Sequence, residues 1–582
     1  MADKYDIAIV GGGPAGSTVG SLLKKYSPAL RVGIFEREKF PRDHVGESHL
    51  PVISNVLDEM GVWGKVEAAD FPIKVGATYR WGRTDDLWDL EFIPGGQFQV
   101  EPRPAKFVGQ RKLTAFQVDR SVYDKVLLDH ASSLGCDVRE ETTVRSVSKD
   151  GDRVTGLTLE DGSEITARYY VDASGHSGIL RRAMGIDIEC PTTLQNIAIW
   201  EYWRNAEWAV SIGVGGTRIQ VLSLPYGWLW FIPIGPDRTS IGLVIPASYY
   251  KEQGRRPEEI YAEALRSDPI ISRLIQNAQA EGNVQTTKDW SFVAERLTGE
   301  NWFLVGESAG FADPILSAGM TLAHFGGKDV AYAILAMERK DYEPEWIREF
   351  YCTTHRAQIR QHIRFADFWY TGNGVFSDLK DYAQQIATDA GLTMTAEAAW
   401  RWLAQGGFVE RSGGTDIGLY GLLFTKEILA SFTGDVPHYE VAGKTHFVLN
   451  LDGAEKSWTA ELAEGRLTRR RMYRRDGKIL PMLNIVGWMA QQLKTEKSAV
   501  ELTELAKLYV GQANLPPGVL QTFWTDYYKS LEALVADGWV LASTREGAEP
   551  LPPPSVDFTS VVHPNHDIIN TLATNASNHV HA

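Results

Sequence analysis

The sequence predicts an α/β protein with a βαβ unit at its N-terminus, an antiparallel sheet in the middle of the chain and a mainly helical C-terminal region. Within 5–35, an apolar run, a glycine-rich turn, a helical pattern and a second apolar run follow one another, which is typical of a βαβ unit. The stretch 194–246 is rich in aromatic and strand-forming residues, which favours a sheet. Helical periodicity returns at 257–280 and again after a second glycine-rich turn near 306–319.

Shorter signals place the elements between these regions. The stretch 119–134 has a helical pattern, and the Asp-Gly pairs in KDGD at 149–152 and EDGS at 160–163 predict tight hairpin turns. In GWLWFIPIG at 227–235, a strand-like run carries two tryptophans at period two and ends at a proline. We therefore expect a sheet whose aromatic side chains form the wall of a cavity.

Length, charge and cysteine content narrow the class of protein. The chain has 582 residues, enough for more than one domain, and its net charge of −15 argues against nucleic acid or an anionic membrane as a partner, because both require a basic surface. Its three cysteines have no metal-ligand spacing, so we expect reduced thiols, a cytoplasmic location and no metal site. Neither a secretory signal nor a membrane-spanning apolar run is expected from the sequence.

The first glycine-rich turn predicts a dinucleotide site in a Rossmann-like unit. Gly11, Gly13 and Gly16 have the spacing G-x-G-x-x-G between a strand and a helix. The first glycine permits a tight turn, the second lets a pyrophosphate approach the backbone, and the third allows the helix and the strand to pack closely. Glu36 ends the second strand, where a carboxylate can accept a hydrogen bond from a ribose hydroxyl.

The second glycine-rich turn, FLVGESAGFADPILSAG at 303–319, favours FAD over NAD as the nucleotide. FAD is long, and a protein that binds its adenosine end with the N-terminus commonly binds its ring end with a distant segment. The acidic residues of this second segment are Glu307 and Asp313. We expect both of them to contact the cofactor.

Two motifs carry a resemblance to a known enzyme family. WLWFIP at 228–233 matches the pattern W-x-W-x-I-P, and FADPILSAG at 311–319 matches F-x-x-P-x-x-S-x-G. Both patterns are signatures of the flavin-dependent halogenases, which share the fold of the FAD monooxygenases. From residue 1 to about 370, the chain resembles that family. In these enzymes the second glycine turn usually contains Gly-Asp, whereas Gly306 is followed here by Glu307.

The resemblance implies a division of the chain into three parts. The first is a halogenase core at 1–375, the second a mainly helical domain at 376–548, and the third a Pro- and His-rich tail at 549–582. Within the core, the expected FAD-binding segments are about 1–80, 105–190 and 285–375, and the expected substrate sheet is about 81–104 and 191–284.

The resemblance also implies which residues bind the cofactor and the halide. The residues expected at FAD are Gly11, Gly13, Ala15, Gly16, Glu36, Arg37, Arg42, Glu47, Ser48, Arg120, Glu307 and Asp313. Chloride or bromide is expected where a helix begins near Ala318, since backbone N–H groups there point at an anion. The residues expected at the halide are Pro314, Ser317, Gly319 and Met320. A plain N-cap is the alternative role for Ser317, and Asp289 is a candidate for a covalent bond to the flavin.

In addition to Ser317, the resemblance implies three catalytic side chains. Lys74, in FPIKVGATYRWG at 71–82, matches the lysine that receives the oxidised halogen in halogenases, although a lysine on a strand more often faces solvent. Trp228 and Trp230 match the wall that keeps organic substrate away from the flavin. Core packing is the alternative for this pair, since aromatic residues at period two normally bury one face of a strand.

The implied reaction uses reduced FAD, O2 and halide to form hypohalous acid, which passes to Lys74 for electrophilic halogenation. A separate flavin reductase would supply the reduced FAD. Tryptophan halogenases have a glutamate immediately before the serine, and this chain has Leu316 there. We therefore expect an electron-rich phenol or pyrrole of secondary metabolism as the substrate, free or tethered to a carrier protein. His324 is available as a base, although a histidine on a helix face is more often structural.

The sequence leaves other interpretations open for one basic segment and for the function of the whole protein. The basic segment 466–479 could bind an acidic carrier protein, or it could be a solvated hairpin around its Asp-Gly pair. An FAD hydroxylase of the same fold is the alternative enzyme, because DASGHSGILRR at 172–182 resembles the segment by which hydroxylases approach a nicotinamide. A flavoprotein that binds FAD and a partner without turnover is the alternative from another class.

Overall fold

A computed structural model describes most of the chain. The described residues are 3–81, 86–93, 98–192, 194–211, 215–371, 439–475, 478–513, 517–551 and 562–565. They divide into two compact units, one with the described residues of 3–371, 464–466 and 563–565, and the other with those of 439–463 and 467–562. Among all these residues, no helix combines the length and the apolar character that crossing a bilayer requires.

Helices occur in both units. In chain order they are α1 (Pro14–Tyr26), α2 (Pro51–Met60), α3 (Trp63–Ala68), α4 (Arg120–Ser133), α5 (Ile179–Ala183), α6 (Ala247–Gln253), α7 (Pro257–Ser267), α8 (Pro269–Leu274), α9 (Ala318–Arg339), α10 (Pro344–Thr371), α11 (Asn484–Gln492), α12 (Ala499–Ala513) and α13 (Pro517–Ala536). Short 3₁₀ turns span Gly109–Lys112, Gly175–Ser177, Gly306–Ser308 and Pro314–Leu316.

The strands form several sheets. In chain order they are β1 (Asp3–Val10), β2 (Val32–Phe35), β3 (Ile73–Arg80), β4 (Trp88–Glu91), β5 (Ala115–Phe116), β6 (Asp137–Arg139), β7 (Val144–Asp150), β8 (Arg153–Leu159), β9 (Glu164–Asp172), β10 (Ile188–Glu189), β11 (Gln195–Arg204), β12 (Gly216–Leu224), β13 (Gly227–Pro233), β14 (Arg238–Pro246), β15 (Gln279–Ala280), β16 (Gln285–Trp290), β17 (Phe292–Ala294), β18 (Trp302–Leu304), β19 (Gly310–Phe311), β20 (His446–Leu449), β21 (Glu455–Ala463), β22 (Arg466–Arg475), β23 (Lys478–Pro481), β24 (Lys497–Ser498), β25 (Val540–Ser543) and β26 (Val562–Pro564).

The N-terminal sheet has the predicted Rossmann-like arrangement. Its order is β6-β2-β1-β9-β8-β7, with β18 beside β9. β1 runs parallel to β2 and β9, and β18 runs parallel to β9, so the carboxyl ends of these four strands meet at one edge. Both Asp-Gly turns predicted from sequence connect antiparallel strands here, β7 to β8 and β8 to β9. In an open parallel sheet, ligands bind outside the carboxyl ends of the strands.

A second, larger sheet has the order β15-β11-β14-β13-β12-β3-β4-β26, with β16 beside β11 and β5 beside β3. One face is covered by α7 and α8, and its apolar side chains include Leu222, Leu229, Phe231, Ile241 and Leu243. The other face carries the alternate residues of β12 and β13, which are Ile219, Val221, Trp228, Trp230 and Ile232. These residues line the cavity described below.

The large sheet differs from the predicted substrate sheet in its boundaries and in one direction. β3 and β16 belong to it, although the sequence patterns placed both with the FAD-binding segments. β3 also runs parallel to β12, whereas the predicted sheet is antiparallel. Residues 73–79 are buried on both faces. A strand buried on both faces loses the alternation of polar and apolar residues that reveals strand direction and partners.

The second unit contains strands as well as helices among its described residues. β24-β20-β25 and β21-β22-β23 are three-stranded sheets. Its buried core includes side chains from strands and from α11, α12 and α13, among them Phe447, Leu480, Met489, Leu502 and Leu531. The predicted division at 376–548 and 549–582 stays a prediction, since long parts of both ranges lie outside the described residues.

Candidate functional site

A cavity of about 430 Å³ lies at the edge where the carboxyl ends of β1, β2, β9 and β18 meet. Most of the residues predicted for FAD, halide and catalysis line it. These are Gly11, Gly13, Ala15, Glu36, Arg37, Arg42, Glu47, Ser48, Arg120, Trp228, Trp230, Glu307, Pro314, Ser317, Gly319 and Met320. The fold therefore brings together residues that are up to about 300 positions apart, while Gly16, Lys74 and Asp313 lie outside the lining.

The glycine turn fits a bound diphosphate. Gly11 has a φ of +105°, and a Cβ atom there would lie 2.3 Å from the carbonyl oxygen of Ala173. A Cβ on Gly16 would lie 2.0 Å from the carbonyl oxygen of Gly11, so both positions require glycine for the fold itself. At Gly13 the nearest atom to such a Cβ is the Arg42 guanidinium at 3.7 Å. The space over Gly13 is thus open to a ligand, at the N-terminus of α1 where N–H groups favour an anion.

Charged side chains next to this turn also fit a diphosphate. Arg120 donates to both oxygens of Asp124 at 2.7 and 2.9 Å, and Arg42 lies 3.3 Å from the same carboxylate. Two guanidinium groups therefore share one carboxylate, so this group of three side chains has one positive charge in excess. Arg120 also donates to the carbonyl oxygens of Val45 and Gly46, so it holds the loop that continues to Ser48.

Two carboxylates are placed for the hydroxyl-rich parts of FAD. Glu36 accepts hydrogen bonds from the N–H groups of Gly12 at 2.7 Å and Glu38 at 2.9 Å, which fixes its side chain at the end of β2. Each carboxylate oxygen has a further lone pair for a ribose hydroxyl. Glu307 lies in the 3₁₀ turn that follows β18, and it lines the cavity despite its extra methylene relative to the usual aspartate.

A third carboxylate, that of Glu47, is buried at the cavity near the tryptophans. It accepts hydrogen bonds from the Tyr202 hydroxyl at 3.0 Å and from the N–H of Gly46 at 3.0 Å. Burial raises the pKa of Glu47 to about 6. This group can therefore exchange a proton in the weakly acidic range.

The two tryptophans of β13 form one wall of the cavity, which we call the tryptophan wall (Trp228 and Trp230). Both are almost fully buried, and their ring centroids are 6.0 Å apart. The Trp230 indole donates to the Ser240 hydroxyl at 3.0 Å and packs on Gly242, where a Cβ would lie 2.1 Å from the ring. The pair is thus well packed and also lines the cavity, and its function as a partition between flavin and substrate stays a prediction.

Lys74 lies in the strand β3, next to the cavity rather than in its lining. It is 2% exposed, so the predicted alternative of a solvated lysine is wrong. Its ammonium donates to the Ser48 hydroxyl at 2.7 Å and to the carbonyl oxygen of His49 at 3.0 Å, and it faces the Phe92 ring at 5.4 Å. Burial lowers the pKa of Lys74 to about 7. Since Ser48 itself lines the cavity, one hydrogen bond connects the amine of Lys74 to a cavity-lining residue.

A β-bulge explains how Lys74 reaches this position. Its partner on β12 is Thr217, whereas Gly76 pairs with Arg218, so Val75 is an extra residue in β3. Such a bulge reverses the side-chain alternation and re-aims a side chain. Lys74 is therefore turned to the sheet face that also carries the tryptophan wall.

The segment predicted to bind halide forms a tight turn before α9. Ser317 has a φ of +56°, a left-handed conformation that serine rarely adopts. Its hydroxyl does not cap α9, so the plain N-cap alternative is wrong. α9 begins at Ala318, and the N–H groups of Gly319 and Met320 lie in its first turn, where they have no partner within the helix. This helix end meets the cavity and can accept an anion.

Known proteins resemble this chain in sequence. Residues 4–365 match the FAD binding domain family. The chain is 31% identical over 390 residues to a tryptophan 2-halogenase of Chondromyces crocatus. The aligned region covers 66% of this chain and 70% of that protein. It is 32% identical over 391 residues to a 1H-pyrrole-2-carbonyl-(peptidyl-carrier protein) chlorinase of Pseudomonas fluorescens, covering 64% and 85%. The chain belongs to the flavin-dependent halogenases.

Solved halogenase structures resemble this halogenase to different extents. The structure of CmlS, a flavin-dependent halogenase, has 25% identity and a TM-score of 0.68, and it covers 96% of this chain and 99% of its own. The structure of the myxobacterial chondrochloren halogenase CndH has 26% identity and a TM-score of 0.57, covering 69% and 93%. CmlS thus also has a counterpart of most of the region beyond the FAD-binding part. FAD is the cofactor of this halogenase, and halogenation is favoured over hydroxylation.

Asp313 of the halogenase lies outside the cavity lining. Its carboxylate accepts hydrogen bonds from Asn196, Tyr370 and the N–H of Ile315. Burial raises the pKa of Asp313 to about 6. The prediction that Asp313 contacts FAD stays a prediction, and in this structure both of its carboxylate oxygens accept hydrogen bonds from the protein.

His324 does not act as a base for the substrate in this structure. Its ring is fully buried between the Thr18 hydroxyl at 2.9 Å and the Tyr123 hydroxyl at 2.8 Å, and it does not line the cavity. Burial lowers the pKa of His324 to about 3, so the ring stays neutral. Asp289 lies in β16, opposite Asn196, and its side chain is outside the described residues, as is that of Leu316.

One cavity-lining segment was missed by sequence reasoning about the cofactor. Ala173, Ser174 and Gly175 follow β9 and line the cavity beside the glycine turn. Asp172 fixes this loop by accepting from the N–H groups of Ser174 at 3.1 Å and Leu180 at 2.8 Å. The position of DASG directly after a strand of the parallel sheet is the signal that could have revealed it.

Proposed function

We propose that this halogenase carries an oxidised halogen from the flavin side of the tryptophan wall to Lys74, which delivers it to an electron-rich aromatic or pyrrolic ring. The observation that carries the proposal is the buried amine of Lys74, bonded to a serine that lines the cavity. When bound, reduced FAD would supply the electrons that activate O2 for oxidation of the halide. FAD would be held by the glycine turn, Arg42 and Glu36.

The surroundings of Lys74 support a role in halogen transfer. Two of the three donors of an ammonium are used by Ser48 and His49, which leaves one direction of the amine for a reactant. A pKa of about 7 means that a large fraction of the amine is neutral at neutral pH, with a lone pair free to bond to halogen. The same bonds hold the nitrogen at a fixed place, which favours one ring position of the substrate.

Halide binding is proposed for the turn before α9. The N–H groups of Gly319 and Met320 and the dipole of a 22-residue helix favour an anion there. The left-handed Ser317 sets the direction in which this helix begins. The tryptophan wall separates the same cavity from the organic substrate.

The partners are proposed from charge and from the relatives. A separate flavin reductase would supply reduced FAD. A pyrrole tethered to a carrier protein is one candidate substrate, since two relatives are named as halogenases of such a group. β22 carries the exposed side chains of Arg471 and Arg474, and acidic carrier proteins favour exposed basic side chains. β22 pairs antiparallel with β23, and the Asp-Gly pair of the predicted hairpin lies outside the described residues.

The experiment that tests the function is direct. The protein is incubated with FAD, a flavin reductase, NADH, chloride or bromide, and a panel of phenols, free pyrroles and carrier-tethered pyrroles. Mass spectrometry then detects the isotope pattern of chlorine or bromine in the products. A product that gains oxygen and no halogen would instead support the hydroxylase alternative.

The tryptophan wall gives one prediction. We expect Trp230→Phe to lower the yield of halogenated product per FADH2 consumed, because the smaller ring opens the wall and hypohalous acid escapes. FAD affinity should stay the same. The measurement compares product formation with the hypohalous acid captured by a soluble trap, and FAD binding by fluorescence titration.

Trp203→Phe is the matched control for this prediction. Trp203 lies on β11 of the same sheet, its indole donates to the Tyr261 hydroxyl at 3.0 Å, and it does not line the cavity. We expect unchanged coupling in this variant. Equal yields in Trp230→Phe and Trp203→Phe would contradict a wall function for Trp230.

The pKa of Lys74 gives a second prediction, on pH. If a haloamine forms, only the neutral amine reacts, so the rate of halogen transfer should rise with pH through about 7 and level off above it. The neighbouring His49 does not titrate in this window, because burial lowers its pKa well below the usual range. The rate is measured in single turnovers of pre-reduced enzyme. A rate that falls above neutral pH would show that the ammonium, as a hydrogen-bond donor to hypohalous acid, is the reactive form.

A further inference from the structure

A buried polar cluster joins the tryptophan wall to the helix α10. We call it the indole clamp (Trp228, Tyr370, Asp313 and Asn196). The Trp228 indole donates to the Tyr370 hydroxyl at 2.8 Å, and that hydroxyl donates to Asp313 at 3.0 Å. The Asn196 amide donates to the other oxygen of Asp313 at 3.1 Å and to the Tyr370 hydroxyl at 3.3 Å. Every member is buried, so these bonds are shielded from water.

The same carboxylate also holds the turn before α9. The oxygen of Asp313 that accepts from Tyr370 accepts from the N–H of Ile315 at 2.9 Å. That bond starts the 3₁₀ turn Pro314–Leu316, which leads directly to Ser317 and the first N–H groups of α9. Two side chains, Tyr370 and Asp313, therefore connect one tryptophan of the wall with the turn proposed to bind halide.

We propose that Asp313 and Tyr370 are positioning residues that fix the distance between Trp228 and the halide turn. The inference rests on the proposed roles of the wall and of that turn. A halide ion must be oxidised on the flavin side and its product must pass the wall, so a change in their separation should alter both halide binding and the retention of hypohalous acid. Neither residue lines the cavity, so both act through the groups that they hold.

If Tyr370 served only to accept a hydrogen bond from the Trp228 indole, it would not also need to be bonded to Asp313. A buried indole N–H requires an acceptor, and any hydroxyl or carbonyl could provide one. In the indole clamp the acceptor is instead bonded to the carboxylate that starts the halide turn. Asn196 comes from β11 and Tyr370 from the end of α10, so two elements far apart in sequence converge on Asp313.

Tyr370→Phe is the variant that tests the inference, with Tyr261→Phe as the matched control. Tyr261 is also a buried tyrosine that accepts from an indole, that of Trp203, and donates to the carbonyl oxygen of Ile241 at 2.9 Å, on the opposite face of the same sheet. Both variants lose one buried hydroxyl, so their melting temperatures should fall to a similar degree. Only Tyr370→Phe removes a bond to the wall.

We expect Tyr370→Phe and Tyr261→Phe to differ in their kinetics while their melting temperatures are similar. In Tyr370→Phe the KM for halide should rise by about five- to tenfold, which corresponds to one buried hydrogen bond. The fraction of consumed FADH2 that appears as halogenated product should fall, with the remainder found as trapped hypohalous acid or as H2O2. Tyr261→Phe should match the wild type in both measurements, and FAD affinity should be unchanged in both variants.

The Asp313→Asn variant makes a rescue experiment possible. An amide at this position places one NH2 group against the NH2 group of Asn196, so the halide KM should rise here too. Exchanging the two residues, Asn196→Asp with Asp313→Asn, restores a carboxylate opposite an amide and should recover part of the loss. Kinetics of Tyr370→Phe and Tyr261→Phe that agree with each other would overturn the inference. The proposed function is judged separately, by whether the wild type halogenates and Lys74→Met does not.

Discussion

Replacing Lys74 with methionine should abolish halogenation while the enzyme still binds FAD and consumes O2. We expect product formation to fall by about 10²- to 10⁴-fold, the range found when one acid–base or nucleophilic group is removed. The reason is geometric. Lys74 is the amine held beside Ser48 at the edge of the cavity, and methionine has a similar length but no nitrogen to bond to halogen or to donate to hypohalous acid.

Methionine is chosen so that impaired folding does not cause the loss of product formation. The side chain of Lys74 is buried, and burial lowers its pKa, so the site disfavours a charge. An apolar side chain of similar volume is commonly neutral or stabilising at such a place. The melting temperature should therefore be unchanged or higher. The measurement combines thermal unfolding, FAD titration, O2 consumption and product yield in the same preparation.

Two further variants separate the possible functions of the nitrogen. Lys74→Arg keeps a positive charge and hydrogen-bond donors but stays protonated at all accessible pH values, so it cannot form a haloamine. Partial activity in Lys74→Arg would assign the lysine a hydrogen-bonding role, and complete loss would favour a covalent one. Ser48→Ala removes one of the two bonds that hold the amine and should reduce the rate to a smaller degree. Normal product formation by Lys74→Met would end the proposal that Lys74 transfers halogen.

The parts of the site that could be predicted from sequence depend on local chemistry. The turn at Gly11 to Gly16 and the acid at the end of β2 are recognised because backbone conformation and ligand contact demand those residue types at that spacing. The strand ending at Pro233 is recognised because its alternation and its proline act within a few residues. Such signals do not require knowledge of the rest of the fold.

The parts that could not be predicted depend on contacts between distant segments. Asp313 was expected at the cofactor because it is the second acid of the glycine-rich segment 303–319. Only the fold shows that Tyr370 and Asn196 occupy its oxygens. Lys74 is similar, because simple alternation would place it with Gly76, and the bulge at Val75 that re-aims it leaves no mark in the pattern.

The contrast between three glycines of the first turn gives the other prediction with a large effect. Gly13→Ala should fold normally and lose FAD affinity, whereas Gly16→Ala should fail to fold or unfold at much lower temperature. A Cβ on Gly16 would overlap the carbonyl oxygen of Gly11 at 2.0 Å, and one on Gly11 would overlap that of Ala173 at 2.3 Å. At Gly13 the φ is −66°, which suits any residue, and the nearest protein atom is 3.7 Å away.

The open space at Gly13 is the reason that its substitution separates binding from folding. The methyl group of alanine would occupy the place where a pyrophosphate approaches the N-terminus of α1, between the backbone and Arg42. We expect FAD affinity to fall by about 10²-fold, equivalent to ~2.7 kcal/mol of binding free energy. Flavin fluorescence titration measures the affinity, and thermal unfolding without FAD measures the fold.

Gly64→Ala is the matched control for this prediction. Gly64 lies in the helix α3, has no atom within 4 Å of an added Cβ, and does not line the cavity. Alanine there should leave FAD affinity unchanged and raise stability by up to about 1 kcal/mol, as expected for glycine to alanine inside a helix. If Gly13→Ala binds FAD as tightly as Gly64→Ala does, the diphosphate is not bound at this turn. Each of the two variants has one methyl group more than the wild type. The comparison therefore separates an effect on the approach of a ligand to the backbone from the general effect of adding a side chain.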